Sequence, residues 1–73
     1  MNLRDATRVR DRLHELDIKC DLTENYSGRG MFGRTTAALI VEDMGVVTTT
    51  MKFLGMDPDE LRRDNMGFDY VVY

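Results

Sequence analysis

Apolar residues recur along the first part of the chain at steps of three and four: Leu3, Ala6, Val9, Leu13 and Leu16. That spacing gathers them on one face of a helix and predicts a helix over residues 3–16. Asn2 stands in the N-cap position, and Asp5 places an acid near the positive end of the helix dipole. Asp17 ends the pattern. The period then falls to two. Ile18, Cys20 and Leu22 alternate with Lys19, Asp21 and Thr23, which predicts a half-buried strand over 18–23 with Cys20 facing inward. Residues 35–42 predict a second strand, and the run Leu39-Ile40-Val41 suits one covered on both faces. The two strands make a hairpin with a long connection.

The pattern over 46–55 supports two readings. Val47, Met51 and Leu54 fall at i, i+4 and i+7, with Gly55 as a stop, and favour a helix. The β-branched run from Val46 to Thr50 favours a strand, paired through a turn at Asp43-Met44-Gly45. Asp57-Pro58-Asp59-Glu60 is a helix start, with an N-cap, a proline at N1 and acids in the first turn. The short helix it opens is expected to run to about Arg63. Asp64-Asn65-Met66-Gly67 has turn chemistry. A final strand over 68–73 carries bulky residues on both faces, so it needs pairing or cover. The fold class these elements predict is α+β, ordered α-β-β-α-(short α)-β. Its sheet is small, mainly antiparallel and three-stranded, with the helices packed on one face.

Length limits what this fold can bury. A chain of 73 residues makes one thin-cored domain, with an expected stability of roughly 3–5 kcal/mol unless something adds to it. Cys20 is the one cysteine and His14 the one histidine, so neither an internal disulfide nor a Cys/His zinc site is expected. No metal or cofactor is expected. Oligomerisation, as a dimer or higher, is the remaining supplement. The longest apolar run, Ala37 to Val41, is far short of a membrane span. The first residues carry no secretion signal. With a lone thiol, this suggests a cytoplasmic protein.

The net charge of −3 argues against general nucleic-acid binding. Eight of the ten basic residues are arginine, the better residue for bidentate contacts to phosphate or carboxylate. Arg4, Arg8 and Arg12 form a stripe on the first helix. Asp5, Asp11, Glu15 and Asp17 balance it, which reads as a solvated, ion-paired face.

The candidate site lies between the two hairpin strands. Three of the six glycines, Gly28, Gly30 and Gly33, fall within residues 28–33. Such glycines let backbone N–H groups turn toward a common point and cradle an anion. Arg29 and Arg34 would add charge, Ser27 and Thr35 hydroxyls, and Tyr26 or Phe32 a ring to stack on a base. The expected ligand is anionic and nucleotide-like. Met31 and Phe32 also admit another reading, as the anchor of a contact with a host protein. A third leaves the segment as a connection that binds nothing. No nucleophile and base stand at a catalytic spacing, so no enzyme is expected.

Gly28, Gly30 and Gly33 also match the dinucleotide fingerprint, but the large βαβ sheet that fingerprint needs is missing. Gly28, with Gly33-Arg34-Thr35, resembles the phosphate loop of P-loop nucleotide hydrolases. Arg34 replaces the lysine that reaches the β- and γ-phosphates, and a parallel sheet is missing, so NTP hydrolysis does not follow. The stretch Tyr26-Ser27-Gly28-Arg29-Gly30-Met31-Phe32-Gly33 and the ending Asp64 to Tyr73 resemble small bacteriophage-encoded proteins. The resemblance implies an accessory phage protein that blocks a host defence, by binding a host protein or by sequestering a signalling nucleotide.

Overall fold

The computed structural model describes residues 1–26, 36–67 and 69–73. It is a small α+β fold. A helix α1 (Leu3–Glu15) precedes strands β1 (Cys20–Tyr26) and β2 (Thr36–Val41). A second helix α2 (Met44–Phe53) and a 3-10 turn (Pro58–Glu60) follow, then strands β3 (Arg63–Met66) and β4 (Asp69–Val72). The sheet order is β1-β2-β4-β3, and every pairing is antiparallel.

Both helices end in the same way. In α1 the Ile18 N–H donates to Leu13 O at 2.9 Å and the Asp17 N–H to His14 O at 3.0 Å, with Asp17 at φ 59°. In α2 the Met56 N–H donates to Met51 O at 2.8 Å and the Gly55 N–H to Lys52 O at 3.2 Å, with Gly55 at φ 78°. These paired bonds satisfy the last carbonyls and turn the chain back toward the core. They also explain why β1 starts at Cys20 and not at Ile18: the Ile18 amide is still capping the helix. The N-termini are capped as well. Asn2 accepts from the Asp5 amide and Asp43 from the Gly45 amide, each at 2.8 Å.

Residues 44–53 are helical despite their β-branched run. Asp43 and Gly55 frame the helix, and Val47, Thr50 and Met51 face the core at helical spacing. The strand alternative for this stretch is thereby overturned, because burial of that stripe outweighs an intrinsic preference. The stripe on α1 is narrower than its apolar pattern. Ala6, Val9 and Leu13 are buried, while Leu3 and Leu16 at the two ends are exposed.

The C-terminal third departs from expectation in three places. The helix expected to reach Arg63 is a single 3-10 turn, because Leu61 is already extended at φ −72° and ψ 139°. Arg62 and Tyr73 then exchange both backbone hydrogen bonds, at 2.7 and 3.0 Å. Residues 63–66, expected as part helix and part turn, become β3, so the sheet has four strands where three were expected. Met66 pairs with Asp69, and Gly67 after it takes φ 68°. Polar Arg63-Asp64-Asn65 carries no strand signal of its own; pairing with β4 makes it one. β4, whose apolar faces predict pairing or cover, lies between β2 and β3 inside the chain.

Each sheet face has its own cluster. Cys20, Ala37, Leu39, Val41 and Val72 pack with both helices. Ala38, Val71 and Tyr73 form a second cluster, flanked by Tyr26 and Ile40. Both faces of β2 are therefore buried, as its sequence predicts.

Candidate functional site

Of the residues expected to bind ligand, Ser27, Gly28, Arg29, Gly30, Phe32, Gly33, Arg34 and Thr35 lie outside the described residues, as does Met31. Tyr26 is described, and so is Thr36 at the other end of the segment.

A bulge sets the position of Tyr26. From Thr23 to Tyr26 the chain takes three steps on β1, while the paired residues Ala38 to Thr36 take two on β2. The extra residue leaves Asn25 at φ 57°, a conformation asparagine tolerates better than most residues. Strict alternation from Cys20 and Leu22 would turn position 26 toward the helices. The extra residue reverses that parity and places Tyr26 with the second cluster.

There the Tyr26 ring lies 5.0 Å from the Tyr73 ring, tilted by 44°. Its hydroxyl donates to Asp64 Oδ2 at 2.8 Å. A residue on one edge strand is thus tied to a residue on the opposite edge strand. Ala38, small and fully buried between them in the sheet, leaves room for the two rings.

The other end of the segment is held from the helix side. The amine of Met1 donates to Thr36 Oγ1 at 3.0 Å, the Thr36 hydroxyl donates to the Met1 carbonyl, and the Ala37 N–H donates to the same carbonyl at 3.1 Å. Burial lowers the pKa of this amine, and Asp5 opposes the shift. Tyr26 and Thr36 face each other in register. The residues that flank positions 27–35 are therefore adjacent in the sheet and separately anchored.

Groups elsewhere have structural roles. Cys20 is buried, and its thiol is pushed up to about 11 by desolvation, with Asp21 adding and Arg10 opposing. It packs as a small apolar residue and is not a ready thiolate. His14 Nε2 lies 2.9 Å from the Cys20 carbonyl, a partner the sequence did not suggest. The arginine stripe is partly ion-paired: Arg12 meets Glu15 at 3.1 Å, and neighbouring Arg10 meets Asp11 at 3.0 Å. A cleft of about 340 Å³ beside the first turn of α1 is lined by Asp5, Asp57 and Glu60, whose charge disfavours an anion. Among the described residues no group of His, Cys, Asp and Glu is arranged to hold a metal ion. Among them, too, no helix is long and apolar enough to cross a membrane.

Sequence reasoning missed Asp64 and Tyr73. In the sequence Asp64 has turn chemistry, and nothing short of the four-stranded pairing places it across from Tyr26. No protein-family model, curated protein or solved structure matches the chain. The functional reading rests on the residues themselves.

Proposed function

We propose that this chain is a small cytoplasmic binding protein, acting as a homo-oligomer, whose Gly/Arg-rich segment holds an anionic, nucleotide-like ligand. The observation that carries the reading is the anchoring of that segment's two ends. Tyr26 is tied to Asp64 and Tyr73, Thr36 to Met1, and the two face each other in register. A binding segment set on rigid elements loses less entropy when it engages a ligand than one set on mobile ends.

Between these posts Arg29 and Arg34 supply charge, Ser27 and Thr35 hydroxyls, Gly28, Gly30 and Gly33 backbone donors, and Phe32 a ring. Tyr26 borders the ligand at the base. The chemistry is binding and not catalysis, a reading supported by the buried, high-pKa thiol of Cys20 and the bonded ring of His14. The likeness to phage proteins suggests the setting: an accessory protein that sequesters a host defence signal.

Thermal-shift titration with a panel of cyclic mono- and dinucleotides tests this. A ligand at a hundred times its Kd adds about 2.7 kcal/mol, enough to raise the Tm of a domain this size by roughly 10 °C or more. Arg29→Ala and Arg34→Ala should each remove most of the shift. A flat response across the panel, the same in both variants, would sink the reading.

A further inference from the structure

The solvent side of the two helices carries an apolar surface: Phe53 and Leu16 belong to neither core cluster, and the neighbouring Ile18 and Val46 are only partly covered where they flank the first. Phe53 projects from the end of α2 with 68% of its surface exposed, and Leu16 at the end of α1 is 50% exposed. One α2 turn before Phe53 is Thr49, exposed, and a further turn back is half-buried Val46. Leu16, Ile18, Val46 and Thr49 line a groove of about 370 Å³, together with Asp43. A protruding ring and an apolar groove thus lie on the same face, along the same helix.

We propose that this face is the contact between two copies of the chain, with α2 packed antiparallel on its own copy about a two-fold axis near Thr49. A two-fold contact must be complementary to itself, because both subunits present the same patch. The antiparallel arrangement meets that condition. It sets Phe53 of each copy opposite Val46 of the other, in the groove beside Leu16, with short Thr49 side chains where the helices cross.

Charge follows the same symmetry. The Arg12 guanidinium lies 4.5 Å over the Phe53 ring, so a cation travels with the projecting ring. Asp43 is among the residues lining the groove that the ring of the other copy enters. Each Arg12 is therefore directed at Asp43 of the other copy. A standard interface takes about 800 Å² per subunit, roughly a sixth of the chain's 4984 Å². An interface of that size would supply the supplement a domain this small needs.

The inference deepens the oligomeric part of the proposed function and is independent of the ligand. Tyr26 and Thr36 pair at one end of the hairpin, while Val41, which leads into α2, pairs with Cys20 at the other.

Sedimentation velocity on the full chain across a concentration series tests it. The wild type should form a dimer. Phe53→Glu should weaken it at least tenfold with an unchanged far-UV spectrum, since the residue is exposed. Asp43→Asn keeps a capping side chain and should weaken the dimer several-fold while reducing its salt dependence. Thr49→Cys should cross-link as a dimer under mild oxidation, because Cys20 is buried and unreactive. A wild type that stays monomeric into the high micromolar range overturns the proposal. So does a dimer that survives Phe53→Glu and yields no Thr49→Cys cross-link, since its contact then lies elsewhere. A nucleotide shift retained by a wild type that stays monomeric separates failure of this proposal from failure of the ligand reading.

Discussion

Cys20 occupies the first position of β1 at 2% exposure, and its thiol pKa rises to about 11 from an ordinary value near 9. The folded state holds this proton more tightly than the unfolded chain does. Its contribution is complete below the unfolded pKa and is lost as pH rises through the folded one. The urea midpoint should hardly respond to this group from pH 7 to 8, then fall between about pH 9 and 11. The slope for one proton is at most about 1.4 kcal/mol per pH unit. Cys20→Ala should remove that part of the slope; a variant that titrates like the wild type would show that another group is responsible. The inward direction of Cys20 is legible from its alternation with Asp21 and Lys19. The partnership of its carbonyl with His14 is not, because it needs α1 folded back along β1.

At the scale of elements, the bulge on β1 decides where the candidate site begins. Asn25 in the left-handed region makes the extra step that brings Tyr26 to the second face. A β-branched residue there carries a steric penalty of about 1–2 kcal/mol. Asn25→Val should cost that much in urea denaturation and quench the Tyr26–Tyr73 contact, seen as a change in near-UV dichroism. Asn25→Gly should be neutral or slightly stabilising. Equal stability of the two variants would mean the bulge is not held by this residue. Elements with a clear period were legible in the sequence: α1 from its three-four stripe, β2 from its apolar run. α2 was legible only as one of two options, and its choice rests on Val47 and Met51 finding the core.

At the scale of the whole molecule, the core is shallow and shared. Leu39 is fully buried on the central strand, beneath both helices and beside Val72. Leu39→Ala should cost about 2–5 kcal/mol, against an expected total of roughly 3–5 for a domain this small. The variant should be largely unfolded at 25 °C by far-UV dichroism. A cooperative urea transition shifted by less than 1 kcal/mol would mean the core repacks around the gap.

The sequence by itself determined the α+β class, the Asn2 cap of α1 and the Gly55 stop of α2, the inward set of β1 and β2, and the place of the Gly/Arg segment between two strands. Those are local matters, set by side-chain period and by which residues tolerate a turn. Only the tertiary structure decided that Arg63–Met66 is a strand, that β4 is interior, and that Tyr26 reaches Asp64 across the sheet. A strand of Arg-Asp-Asn-Met has no pattern of its own. It exists because β4 offers it a row of backbone partners, and such partners are visible only once distant parts of the chain meet.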